Sequence, residues 1–262
     1  MRPILLGMLL CALPAASQAA VVGEEVVYRL GDDRFQGYVA YDDGLPGRRP
    51  GVLVVHEWWG HNGYARRRAE MLAQLGYTAL AVDMYGEGRQ AEHPADAKKF
   101  SAAVKANMEM AAARFQAGVE RLRAHPTVDS GRLSAIGYCF GGGIVLEMAR
   151  RGAELDAVAS FHGSLTTTSP ATPGVVRAQV LVFNGAADPM VKPEHVDAFR
   201  AEMEAAGVRY SLTDYPGARH AFTNPEADAL GERFSMPIAY HAEADQASWA
   251  ALVEALAGIY PR

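Results

Sequence analysis

The sequence carries only two cysteines in 262 residues, shows no excess of basic charge, and contains no internal repeat, linker or low-complexity segment. Two cysteines cannot build the disulfide framework of a small secreted scaffold, and with no C-x-x-C pair there is neither a metal knuckle nor a dithiol exchange motif. No run reaches the roughly 18 apolar residues that a membrane-spanning helix needs. With 25 basic against 30 acidic side chains, both signs dispersed and a net charge of −5, nothing favours a nucleic-acid partner. The one basic cluster, Arg66-Arg67-Arg68, reads as the solvated face of a helix.

What is present begins with the first twenty residues. Met1-Arg2-Pro3 is positively charged, Ile4 to Leu13 is a short apolar stretch, and Ala15 to Ala20 is rich in small residues. This order predicts an export signal over 1–20, a mature chain of residues 21–262 forming a single domain, and a periplasmic or secreted location with no membrane association after cleavage. Cys11 would leave with the signal, so Cys139 would remain as the only thiol in an oxidising compartment.

Hydrophobic residues make up 50% of the chain, enough for a full core. Val26 to Leu30 and Phe35 to Tyr41 read as an opening hairpin. Gly51 to Val55, Thr78 to Val82, Arg132 to Ile136, Val158 to Phe161, Val180 to Phe183 and Tyr210 to Thr213 are short runs suited to strands, several continuously apolar as in strands covered on both faces. Helical patterns alternate with them: Tyr64 to Leu75, one long segment opened by Pro94 and running past Leu122, Gly142 to Arg150, a segment opened by Pro193 and closed by Gly207, and Ala239 to Ile259. Strands alternating with helices predict an α/β fold with a mainly parallel, doubly wound sheet.

Within that pattern, G-Y-C-F-G at 137–141 joins a strand to a helix. Two glycines at this spacing permit a tight corner that presents the central side chain at the top of a sheet. Cys139 follows one strand, Asp188 follows the run ending at Phe183, and His220 follows the last strand, in the order nucleophile, acid, histidine. That order is the α/β-hydrolase arrangement with cysteine in the usual serine position. A thiolate there attacks an ester or lactone carbonyl, an imidazole moves the proton, and a carboxylate holds the imidazole's tautomer. The oxyanion would be met by the backbone N–H groups of Phe140 and of Trp58, the latter in the loop after the Gly51 to Val55 strand.

These residues resemble the dienelactone hydrolases (carboxymethylenebutenolidases) over nearly all of the mature chain: G-Y-C-F-G-G at 137–142, the Asp188 turn, G-A-R-H-A-F at 217–222, D-M-Y at 83–85, and Glu57 directly after the third strand. The resemblance implies that Glu57 contacts the resting thiol and takes part in activating it. It also implies a substrate carboxylate held by two arginines, but the matching positions here are Glu87 and Asn224. Tyr85, Arg89 and Asn224 are the expected substrate-binding residues, with Arg89 as a stand-in for the first arginine and a preference for uncharged esters if it does not compensate. His56-Glu57-Trp58-Trp59-Gly60-His61 is not H-E-x-x-H and leaves a strand instead of riding a helix, so no metal and no cofactor are expected. The expected partner is a small ester or lactone, and the chain is expected to be a monomer. The alternative is a non-catalytic binding protein or a thiol redox protein of the same shape. The ordered triad opposes the first, and the missing C-x-x-C the second.

Overall fold

The computed structural model describes residues 21–261; the export signal expected over 1–20, Cys11 included, lies outside the described residues. The chain opens with a hairpin of β1 (Val21–Leu30) and β2 (Asp33–Asp42), in register from Val21 opposite Asp42 to Leu30 opposite Asp33. β3 (Arg49–Val55), β4 (Thr78–Val82), β5 (Val128–Tyr138), β6 (Ala157–Phe161), β7 (Gln179–Gly185) and β8 (Tyr210–Tyr215) complete one eight-stranded sheet in the order β1-β2-β4-β3-β5-β6-β7-β8. From β4 to β8 all neighbours pair in parallel, and the hairpin joins antiparallel through β2 on β4.

The continuous apolar runs have the expected cause. In β3, Leu53 and Val55 enter one core cluster with Phe115 and Leu122 of α3 (Met108–Arg123) and Ile144 of α4 (Phe140–Arg150). Val52 and Val54 enter the opposite cluster with Leu72 of α1 (Gly63–Gln74) and Leu252 and Leu256 of α7 (Ala242–Ile259). Successive side chains alternate between faces, and both faces are covered, so every residue of the strand is buried.

Four local expectations differ from the fold. The segment opened by Pro94 is two helices, α2 (Pro94–Lys105) and α3, because the Asn107 side chain accepts a hydrogen bond from the Met110 N–H at 3.0 Å and restarts the chain as an N-cap. The periodicity of apolar residues runs across this break and hides it. The last helix starts three residues later than expected, after His241 caps it through the Ala244 N–H. The segment opened by Pro193 forms α5 (Pro193–Ala205), and a short helix, α6 (Ala227–Phe234), lies in the loop after β8 where none was expected.

The fourth difference is Arg68. Its neighbours Arg66 and Arg67 are partly solvated, but Arg68 is buried, ion-paired to Asp245 at 2.6 Å and bonded to the Thr223 carbonyl at 2.7 Å. Its guanidinium lies 5.3 to 5.4 Å from the ring centroids of Tyr64, Tyr138 and Trp249. Three consecutive residues of a helix point about 100° apart, so a triplet cannot occupy one face. The inward-pointing arginine became a fixed cation behind the site described next.

Candidate active site

Cys139 sits between β5 and α4, and its backbone is at φ 52° and ψ −111°, outside the regions that side chains favour. The flanking glycines have a different task from the one their flexibility suggested. A Cβ at Gly137 would collide with the Gly141 carbonyl, and one at Gly141 would collide with the Val55 carbonyl at the end of β3. Close backbone approach, not glycine's conformational range, demands these two residues, and the strained dihedrals fall on the cysteine itself.

Asp188 and His220 arrive from the loops after β7 and β8. His220 Nδ1 lies 2.8 Å from Asp188 Oδ2, and His220 Nε2 lies 3.0 Å from Cys139 Sγ. The other Asp188 oxygen accepts from the Met190 N–H at 2.8 Å, so the same carboxylate closes its own turn and faces the imidazole. With Nδ1–H donated to Asp188, Nε2 is the nitrogen turned to sulfur. Burial disfavours charge on His220, but the negative sulfur of Cys139 and the Asp188 hydrogen bond push its pKa up to about 10. Loops at the carboxyl ends of parallel strands bring these three together although they stand far apart in sequence.

Glu57 and Trp58 leave the end of β3. The Gly141 N–H donates to the His56 carbonyl at 3.1 Å, tying the start of α4 to this loop. His56 is buried and neutral: its Nδ1–H donates to the Glu57 carbonyl at 2.6 Å while Nε2 accepts from the Met84 N–H at 3.2 Å. Tyr85 reaches this loop instead of the cavity wall, its hydroxyl donating to the Trp58 carbonyl at 2.9 Å. Asp83, the first residue of the D-M-Y motif, accepts from the N–H groups of Tyr85, Gly86 and Gly88 and so shapes the turn that holds Tyr85. Phe140 is the first residue of α4, where the N–H has no partner inside the helix, and both Phe140 and Trp58 line the thiol cavity.

The expected contact between Glu57 and the resting thiol is not formed among the described residues. Glu57 Oε2 instead accepts from Asn224 Nδ2 at 2.7 Å, and the thiol is bonded to His220. Asn224 is thus buried against the glutamate and lies outside the cavity wall, and Arg89 is exposed and outside it as well. Burial raises the Glu57 carboxyl to about 7, against the Asn224 hydrogen bond and the positive charge of His220.

Sequence reasoning passed over His162, although it follows β6 at a strand end as Cys139 and Asp188 follow theirs. The Cys139 N–H is shared between the Phe161 carbonyl at 3.0 Å and His162 Nδ1 at 3.1 Å. Because Nδ1 accepts, Nε2–H donates to Thr223 Oγ1 at 2.7 Å; Thr223 bonds the Tyr64 hydroxyl at 2.6 Å, which accepts from Arg68. Burial lowers the His162 pKa and the charge on His220, whose ring centroid is 5.3 Å away, lowers it further, so the ring stays neutral. His162→Phe keeps the ring shape and removes both hydrogen bonds. It is expected to cost about 1 to 3 kcal/mol in denaturant unfolding and to lower kcat more than it raises KM. An unchanged kcat would show that the elbow holds itself without this chain of bonds.

The thiol opens into a cavity of about 240 Å³ walled by Trp58, Trp59, Phe140, Val191 and Ile238, with Glu57, His220 and Lys105 as its ionisable neighbours. Among the described residues no cluster of three or more His, Cys, Asp or Glu is placed to hold a metal ion. His56 is engaged as above, and His61 is buried and kept neutral, its pKa pushed down to about 3 chiefly by burial. No helix among the described residues is long and apolar enough to cross a membrane.

Comparison with known proteins identifies the family. The family model of the dienelactone hydrolase family matches residues 35–260. A dienelactone hydrolase-like promiscuous phosphotriesterase from metagenomic libraries superposes with a TM-score of 0.84 at 35% identity, covering 92% of this chain and 99% of that one. A probable 2-oxo-3-(5-oxofuran-2-ylidene)propanoate lactonase of Bradyrhizobium is 30% identical over 195 residues, 71% of this chain and 78% of the relative. A Yersinia pestis protein provisionally assigned as a carboxymethylenebutenolidase is 28% identical over 247 residues, 88% of this chain and 86% of that one. With a mainly parallel sheet flanked by helices on both faces and a match spanning residues 35–260, this chain belongs to the dienelactone hydrolase family of α/β-hydrolases, enzymes that act on lactones or esters.

Proposed function

We propose that Cys139 is the nucleophile of this hydrolase and that turnover passes through an acyl-cysteine. The observation that carries this reading is the line from Asp188 Oδ2 through His220 to Cys139 Sγ, at 2.8 and 3.0 Å. The sulfur, its proton carried by His220 Nε2, forms a C–S bond to the carbonyl carbon while the C=O electron pair moves to oxygen, where the Phe140 and Trp58 N–H groups receive it. As the carbonyl reforms, the C–O bond to the alcohol breaks and imidazolium gives its proton to the departing oxygen. Water then attacks the thioester, losing a proton to His220, and the carboxylic acid leaves as the C–S bond breaks. Asp188 remains a carboxylate throughout and fixes the imidazole tautomer.

Glu57 has an accessory part. Held by Asn224 rather than by the sulfur, it presents a second carboxyl group at the cavity that takes up or releases a proton near neutral pH. One chain supplies every group in this scheme, consistent with a monomeric catalytic unit. The export signal read in residues 1–20 makes the periplasm or the exterior the proposed site of action.

Rapid mixing with p-nitrophenyl acetate tests the nucleophile directly. A burst of nitrophenolate and a mass increase of one acetyl group on the peptide containing Cys139 are expected, both lost after thiol alkylation. Turnover that survives complete alkylation would remove Cys139 from the mechanism.

A further inference from the structure

We infer that Lys105 is the charge-reading residue of the cavity and that the substrate is an ester or lactone with an anionic arm reaching past it; this rests on the proposed reading of the thiol cavity. Among the described residues Lys105 is the only lysine or arginine in the cavity wall. Its ammonium lies 5.9 Å from the ring centroid of Phe140, the residue that follows the proposed nucleophile. Among the described residues it has no carboxylate partner; that ring is the contact it makes.

The neighbouring charges are engaged with one another. A second groove of about 580 Å³ continues from the cavity and shares Lys105, Gly143 and Ser164 with it. In that groove Arg151 is paired with Glu109 at 2.7 Å, and Glu147 shares Arg150 with Glu202, at 3.0 and 2.8 Å. Among the described residues Lys105 stands at the junction of the two spaces as the cation without a carboxylate partner. The groove's far wall, with Thr166, Thr167, Thr168 and Ser169, offers hydroxyl groups. A substrate too long for the inner cavity must pass this border, where a carboxylate would meet an ammonium and hydroxyl donors.

The preference for uncharged esters expected from Glu87 and Asn224 considered only those positions and Arg89. Lys105 enters the wall from α2, an element with no recognisable motif, and it restores a positive charge by another route. As the last residue of α2 it lies in the helix's final turn, where the C-terminal carbonyls favour a cation.

Two matched pairs of probes test the inference on the full chain. The p-nitrophenyl half-ester of adipic acid against p-nitrophenyl hexanoate places the charge on the acyl side. Acetoxybenzoate against its methyl ester places it on the leaving-group side. The quantity read is the ratio of kcat/KM for the charged probe to that for the neutral one. For at least one pair this ratio is expected to fall about fivefold in Lys105→Gln, the scale of a partly solvated ion pair. It should fall further in Lys105→Glu and be retained in Lys105→Arg. Added salt should shrink the ratio in the unaltered protein and leave it flat in Lys105→Gln. Equal ratios in all variants for both pairs would overturn the inference. Thiol alkylation of the same samples reads the nucleophile separately: turnover that persists after alkylation sinks the cysteine mechanism, whatever the ratios show.

Discussion

Cys139→Ala is expected to lower ester and lactone hydrolysis by roughly ten-thousandfold or more while leaving the fold intact. The side chain lines the cavity and only packs against the edge of one core cluster, so removing its sulfur leaves the buried members of both clusters in place. The residue holds φ 52°, a conformation whose strain is on the order of 1 to 3 kcal/mol. Cys139→Gly relieves that strain, and even after glycine's larger unfolded-state entropy it should be at least as stable as the unaltered protein and equally inactive. His220→Ala and Asp188→Asn should each lose most of the activity, and the double variants should be little worse than the worst single one, because the three groups act as a unit. The imidazole supplies an independent check. With the negative sulfur gone, the His220 pKa should fall from about 10, and NMR titration in Cys139→Ala reads that directly. Losses that add across the double variants, or a His220 titration indifferent to Cys139, would break the proposed unit.

The second large effect is on stability and belongs to Glu57. Burial raises its carboxyl from 4.5 to about 7, and the group is only 3% exposed. Between those values the folded protein holds a proton there that the unfolded chain has released. Stability must therefore fall as pH rises from about 4.5 through about 7, by roughly 3 kcal/mol from this group alone at 1.36 kcal/mol per unit. Glu57→Gln keeps an oxygen for Asn224 Nδ2 and has no charge to bury. It should remove that part of the slope, so that urea unfolding at pH 5 gives similar stabilities for the two proteins and at pH 8 a clear advantage to the variant. Parallel stability curves over this range would mean that Glu57 ionises as easily in the fold as in water.

Asn224 connects this prediction to the chemistry. A cation at that position would hold Glu57 ionised; a neutral amide donates one hydrogen bond and leaves burial the stronger influence. The departure at this position thus shifts the proton affinity of a cavity carboxyl as well as the charge of the substrate site.

The sequence by itself determined the sheet, the order of its parallel strands along the chain, and the three residues at strand ends. Those features are local: apolar runs covered on both faces, glycines bracketing a strand-to-helix corner, and a reactive side chain just past a strand. It also led to a wrong environment for Arg68 and a single helix where Asn107 makes two, because charge clusters and apolar periodicity do not reveal which residue turns inward or which side chain caps a restart. Only the tertiary structure decided that Asn224 meets Glu57 across 167 positions, that His162 supports the Cys139 amide, and that Lys105 stands in the cavity wall while Arg89 does not. Each of those depends on where loops from separate strands converge. Such contacts are set by packing between distant segments, and no spacing along one stretch of chain encodes them.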